Sequence, residues 1–298
     1  MARLIECVPN FSEGRNKDII EQIVDEIRKT ENVKLLDYSM DADHNRSVVT
    51  FIGEPDQVIE AAFKATKVAS ELIDMTKHTG GHPRMGATDV IPLIPISDVT
   101  MEECVEYSKI LGKRIGEELN IPVFLYEKSA TSRNREDLAE IRKGQYEGMA
   151  EKLKDEEWKP DFGPAELNIK SGVTAVGARP PLIAYNVNLG TSDLSIAKKI
   201  AKAVRAKTGG FTYCKAIGLE IKERNIVQVS MNLVDYTKTP IFRVFDTIER
   251  EARRYGVNVI GSEIIGLVPM QALVDVADYY LRLENFSSDQ ILERKIFE

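Results

Sequence analysis

Apolar runs of strand length and apolar residues at helical spacing follow one another in the same order in each half of this 298-residue chain, and that order restricts the fold more than any other feature. The N-terminal half opens with an apolar run at 4–8 and a polar turn at 9–14. Ile20, Ile23, Val24 and Ile27 then recur at three and four residues, the spacing that lines one face of a helix. Residues 33–38 and 47–52, rich in Val, Leu, Ile and Phe, read as strands. A second helix starts after Gly53-Glu54-Pro55, where proline suits a first turn, with Val58, Ala62, Ala65 and Ala69 inward. A strand at 90–96 carries two prolines that cannot donate to a ladder, which predicts an edge or bulged strand. A helix bearing Cys104, Ser108, Leu111, Ile115 and Leu119, then a short strand near 123–126, complete the half.

The C-terminal half repeats the series. A strand at 182–188 leads to a helix with Ile196, Ile200 and Ala203 inward, then strands at 213–221 and 226–233. A helix with Ile241, Phe245, Ile248, Ala252 and Tyr255 precedes a strand at 257–260. This β-α-β-β-α-β order is the ferredoxin-like split unit, so the chain reads as α/β (α+β), two such subdomains over 1–178 and 179–298. Prolines and glycines at 158–164 and 177–181 mark a linker, counted with the first.

Composition narrows the function. With 43% hydrophobic and 29% charged residues the chain is of ordinary globular character. No stretch approaches the roughly 18 apolar residues of a membrane span, and the start lacks a signal-peptide pattern, so a cytoplasmic protein is expected. A net charge of -7 argues against general nucleic-acid binding, and any anionic ligand would need a local basic pocket. Cys7, Cys104 and Cys214 are scattered and in no metal spacing, which predicts core thiols in a reducing compartment.

Of three histidines, two lie in the run Lys77-His78-Thr79-Gly80-Gly81-His82-Pro83-Arg84-Met85-Gly86-Ala87. Histidine is the side chain whose ordinary charge change falls near neutral pH, and a glycine-proline setting places His82 on a loop. Arg84 lies two residues on, and in an extended segment such residues share a side. Two readings stand: acid-base work by His82 with Arg84 as an oriented cation, or a surface histidine beside a packing arginine. His78 and His82 have the i, i+4 spacing of helical metal ligands, but glycine and proline interrupt the helix. The remaining ligands would have to come from Asp37, Asp41, Asp43 or His44, so no metal is expected. A Gly-x-Ser-x-Gly nucleophile turn and a phosphate-cradling glycine loop are absent. Both opening strands end in asparagine before a helix start, Asn10 in one half and Asn186 and Asn188 in the other, which fits either capping or a carboxylate site.

The motifs Glu6-Cys7-Val8-Pro9-Asn10-Phe11-Ser12-Glu13-Gly14, Asn45-Arg46, Leu72-Ile73-Asp74-Met75, His82-Pro83-Arg84-Met85-Gly86-Ala87, Trp158-Lys159-Pro160-Asp161-Phe162-Gly163-Pro164 and Gly177-Ala178-Arg179 resemble the formiminotransferase family. The likeness runs from Leu4 to about Pro269. It implies two α/β subdomains with folate in a tunnel between them. It also implies transfer of the formimino group of N-formimino-L-glutamate to the position-five nitrogen of tetrahydrofolate, a step of histidine degradation, without metal. In animals the domain is fused to a cyclodeaminase, and the length here implies the stand-alone form.

By the same resemblance the catalytic histidine falls on His82, as general base and acid. The folate segment falls on Gly163, Pro164, Ala165, Glu166, Leu167, Asn168, Ile169, Lys170, Ser171 and Gly172. Substrate carboxylates, including those of a polyglutamylated folate, call for placed cations, and Arg46, Arg84 and Arg179 are the candidates, each equally readable as an ordinary ion pair. Asn10, Asn45, Asn186 and Asn188 are the candidates to orient pterin or amidine. A glutamate formyltransferase and a non-catalytic folate-binding protein remain the alternatives. A homodimer is expected, as the commonest assembly.

Overall fold

The computed structural model describes residues 2–297, which divide into two units between Arg179 and Pro180. In the first, β1 (Leu4–Cys7), α1 (Lys17–Arg28), β3 (Val33–Asp41), β4 (Arg46–Gly53), α2 (Pro55–Leu72) and β5 (Thr88–Ser97) supply the split β-α-β-β-α-β unit. The short β2 (Asn10–Phe11) continues β1, and both pair antiparallel with β4 on one side and β5 on the other. Beyond β5 the sheet continues in parallel through β7 (Thr174–Ala178) to β6 (Val123–Glu127), while β3 closes the far edge against β4. The crossover from β5 to β6 is α3 (Met101–Leu119), the kind of connection a parallel pair requires.

Burial explains why these segments settle as they do. Ile20, Ile23, Val24 and Ile27 of α1, and Val58, Ala62, Ala65 and Ala69 of α2, are fully buried, or nearly so, in one core with Ile5, Cys7, Phe51, Ile91 and Leu93 of the sheet. Asn16 caps α1, its side chain accepting from Asp18 and Ile19 N–H, and Thr100 with Glu103 forms a capping box on α3. The opposite sheet face is covered in part by α4 (Leu138–Ile141) and α5 (Gln145–Lys152), over Val90, Phe124, Tyr126 and Ala175.

Of the two readings of the proline-bearing strand, edge or bulged, β5 takes the second: it lies inside the sheet, between β1/β2 and β7, with a shifted register. Its prolines are accommodated by irregularity: Pro92 faces the break at Val8-Pro9, its carbonyl accepting from Val8 N–H at 3.3 Å, and the register shifts where Pro95 and Ser97 meet Ile5 and Leu4. The segment read as linker contains β7, a wholly buried strand of small residues. Gly177 is needed there because a Cβ would stand 2.3 Å from the Tyr126 carbonyl oxygen.

In the second unit, β8 (Ile183–Leu189), α6 (Leu194–Val204), β9 (Cys214–Ile221), β10 (Ile226–Leu233), α7 (Ile241–Arg254) and β11 (Val259–Ile265) form an antiparallel sheet in the order β11-β8-β10-β9. Two helices, α8 (Met270–Leu281) and α9 (Leu292–Phe297), follow. Alternation sends Ile183, Tyr185, Val187 and Leu189 of β8 into the core, leaving Asn186 and Asn188 on the other face. Ala197, Ile200, Ala201 and Val204 form the buried stripe of α6, and Ala203 points outward, contrary to its expected inward position. The asparagines do not cap the helices they precede: Asn16 caps α1 and Asp193 caps α6. All three cysteines are buried and free. Among the described residues no helix is long and apolar enough to cross a membrane.

Candidate active site

The three histidines come from two segments that pack together, the turn between β3 and β4 and the loop between α2 and β5. Asn45, in the left-handed region at φ 48°, is the strut between them. Its Oδ1 accepts from Gly14 N–H at 2.9 Å, its Nδ2 donates to the Thr79 carbonyl at 3.0 Å, and its own carbonyl accepts from His78 Nε2 at 2.9 Å. Gly80 sits so close that a Cβ would stand 2.3 Å from the His44 carbonyl oxygen. Gly80 is required there for space, and neither Gly80 nor Gly81 adopts positive φ.

His78 is held as a neutral ring. With Nε2 donating to Asn45, Nδ1 accepts from Arg84 Nε at 3.2 Å, and burial and the Arg84 charge both push its pKa down. Arg84 is buried and commits its remaining donors to Gln145 at 3.0 Å, to both oxygens of Glu147 at 2.8 and 2.6 Å, and to the His78 carbonyl at 3.4 Å. Those bonds hold the Glu147 carboxyl down at about 2. Arg84 is thus a clamp between the loop and α5, and the sequence expectation of a cation sharing a side with His82 does not describe it.

His82 has different neighbours. Its ring meets His44 edge-on, with centroids 6.3 Å apart, and His44 Nδ1 pairs with Asp41 Oδ2 at 2.6 Å. Burial, then the charges of Arg46, Arg142 and His44, push the His82 pKa down to about 3. Arg46 is mostly buried, and its Nε has no acceptor among the described residues. Arg142, at the end of α4, donates through Nε to Asp89 Oδ2 at 3.0 Å and through a terminal nitrogen to the same oxygen, while Asp89 Oδ1 accepts from Met85 N–H at 2.9 Å. Buried Asp89 therefore ties the histidine loop to Arg142. Lys152 secures the end of α4 in turn, donating to the Glu140 and Ile141 carbonyls at 2.6 and 2.7 Å with its ammonium 3.8 Å from the Trp158 ring.

Neither Asp89 nor Arg142 was anticipated. A carboxylate in the otherwise apolar run Asp89-Val90-Ile91 was a signal for the first, and Arg142 carried none. The Trp158-to-Pro164 motif is structural in its visible contacts: Asp161 bonds Leu125 N–H and Arg135, and Phe162 pairs with Val123.

Residues 163–172 lie along the histidine loop. The Lys170 carbonyl accepts from Met75 N–H and that of Ser171 from Ala87 N–H, both at 2.8 Å, and Tyr146 donates to the Ile169 carbonyl. Ile169 is 70% exposed, whereas Ser171 is buried with its hydroxyl unpartnered among the described residues. Elsewhere, Asn10 donates to the Val8 carbonyl, and Arg179 lies beside Glu6 and Tyr126. In the second unit, Gln228 bridges Asn188 Oδ1 at 2.9 Å and Glu263 at 2.7 Å, and Asn186 reaches the same Glu263 oxygen at 3.3 Å. No cluster of three or more His, Cys, Asp or Glu able to hold a metal occurs among the described residues.

Similarity to known proteins extends over nearly the whole chain. It is 57% identical over 297 residues to the glutamate formimidoyltransferase of Streptococcus pyogenes, covering 99% of each, and 54% identical to that of Thermoplasma acidophilum, covering 98% of this chain and 97% of the other. It is also 50% identical to the formimidoyltransferase-cyclodeaminase of Dictyostelium discoideum, of which it spans 56%. Residues 4–179 match the formiminotransferase domain, N-terminal subdomain, and residues 184–296 match the formiminotransferase domain. Taken with the paired split units that carry the two matches, this makes the chain a member of the formiminotransferase family.

Proposed function

We propose that the chain transfers the formimino group of N-formimino-L-glutamate to the position-five nitrogen of tetrahydrofolate, releasing L-glutamate and 5-formimidoyltetrahydrofolate. The observation that carries this reading is the neutral, sheltered imidazole of His82 with cations beside it, in a chain more than half identical to stand-alone glutamate formimidoyltransferases over nearly its whole length. The folate nitrogen attacks the amidine carbon and acquires a positive charge. His82 removes the proton from that nitrogen and returns it to the glutamate nitrogen, whose bond to carbon then breaks. One C–N bond forms and one breaks, and no electron leaves the pair of substrates.

Arg46 is the cation that fits a donor carboxylate, since part of its guanidinium is buried without an acceptor among the described residues. Arg84 and Asn45 act by holding the loop. Residues 163–172, of which Ile169 faces outward, are the proposed folate contact. Holding donor and acceptor together supplies much of the rate by converting a bimolecular encounter into a unimolecular one.

The test is to mix the purified protein with tetrahydrofolate and either N-formimino-L-glutamate or N-formyl-L-glutamate, following glutamate release and the folate product by absorbance and mass. Turnover only with the formimino donor supports the proposal. Preference for the formyl donor assigns the formyltransferase, and folate binding without turnover of either assigns a binding protein.

A further inference from the structure

A histidine with a pKa near 3 is neutral at working pH but is also a poor base, because proton transfer is most effective when the pKa lies near the operating pH. Burial is the main cause, and the charges around the ring add to it. Arg142 faces it from the end of α4 already matched by Asp89 of β5, and His44 faces it from the β3–β4 turn already bonded to Asp41. Arg46, at the start of β4, brings a positive charge whose Nε finds no acceptor among the described residues, and Arg142 is a second positive charge beside it. Asp41 and Asp89 oppose these charges, so what the neighbourhood lacks is an acceptor for the buried Arg46 Nε, close enough for its charge to act on the imidazole.

We infer that Arg46, with Arg142 beside it, forms a seat for one carboxylate of the glutamate-bearing donor, and that filling the seat makes His82 a competent base. The inference rests on the activity proposed above and adds how the site distinguishes its loaded from its empty state. A carboxylate between the guanidiniums offsets the two charges that disfavour an imidazolium, and an opposite charge at such range favours the charged form by about one to three pH units. The imidazole gains basicity only when the donor is in place. Arg46 and Arg142 are cast as positioning and electrostatic residues, and the proton still travels on His82.

Imidazole NMR tests this directly, because the chain has only three histidines and single His44→Gln, His78→Gln and His82→Gln variants assign them. L-Glutamate is the probe, since it carries the donor's carboxylates and cannot react, and calorimetry reports its binding separately. In the free protein His82 should titrate below about pH 5, and saturating glutamate should raise it by about one to three pH units. Arg46→Met should abolish that rise and weaken glutamate binding about tenfold or more, Arg46→Lys should retain part of both, and Arg142→Met should reduce the rise.

Glutamate that binds without moving the His82 titration overturns the inference, as does failure to bind at tens of millimolar or undiminished binding to Arg46→Met. If Arg46→Met does not fold, the wild-type titration and Arg46→Lys still decide. Formimino transfer without the rise removes the seat and leaves the activity standing. The rise without transfer removes the activity and leaves the seat.

Discussion

Arg84 Nε donates to His78 Nδ1 at 3.2 Å, and this bond separates the roles of two histidines four residues apart. With its other nitrogen donating to Asn45, His78 has neither nitrogen left for chemistry, whereas His82 makes no such pair of ring bonds among the described residues.

Replacing Arg84 should therefore injure the scaffold first. Arg84→Met is expected to lower stability to urea by about 1.5–3 kcal/mol, the usual range for hydrogen bonds to a charged group. Arg84→Lys should not rescue it, because an ammonium cannot serve His78, Gln145 and Glu147 as a planar fork does. Calorimetry should find glutamate affinity less affected than by Arg46→Met.

His82→Gln should behave oppositely. Stability is expected to stay within about 1 kcal/mol of the parent, as for most changes away from a bonded network. Turnover should fall by about 10² to 10⁴. His78→Gln should lose stability instead, and steady-state kinetics beside urea unfolding separates the pair.

Two adjacent glycines offer a sharper contrast. Gly80→Ala would place a methyl 2.3 Å from the His44 carbonyl oxygen, so the loop must shift, carrying His82 with it. At Gly81 the nearest atom to an added Cβ is 3.7 Å away, an ordinary contact. Turnover of Gly80→Ala should drop at least about tenfold, consistent with the cost of displacing a catalytic group by an ångström. Gly81→Ala should stay close to the parent in the same assay.

Stability should also carry the signature of the imidazole. An unfolded histidine takes its proton near pH 6.5, but His82 in the folded chain waits until about pH 3, so between these values the unfolded state holds one more proton. Stability then falls as pH falls across that window, by at most about 1.4 kcal/mol per pH unit from this group, and levels off below it. His78, also depressed, adds in the same direction. Urea unfolding of His82→Gln between pH 6.5 and 4 should show a shallower decline.

Much of the fold was legible because burial leaves a periodic trace. The inward residues of α1 and α2 were readable from three- and four-residue spacing alone. β7 was not, since Thr174-Ala-Val-Gly-Ala178 is covered on both faces and so carries neither alternation nor bulk. For β5 the prolines left edge and bulge open, because the break and register shift that relieve them involve a strand some 85 residues away, which local rules do not reach. The site divides likewise. His82 stood out by rarity and setting, whereas the Arg142–Asp89 pair joins positions 53 residues apart and leaves no local mark. For Arg84 the sequence leaves ligand contact and packing arginine both open, and Asn45 reads only as a candidate contact, because a buried strut and a binding residue look identical until their partners are known.

The struts that fix the His82 segment confine its motion. Asn45 holds His78 and Thr79, the Asp43 carbonyl accepts from Gly81 N–H at 3.2 Å, and Met85 to Ala87 are bonded to Asp89, Val173 and Ser171. Between those anchors the imidazole retains chiefly the two torsions of its own side chain. In the proposed mechanism the ring changes partners by swivelling, on a clock of picoseconds to nanoseconds, whereas a hinged flap would need microseconds or longer. Reorientation of the ring is then far too quick to set the pace of a catalyst completing about ten cycles each second.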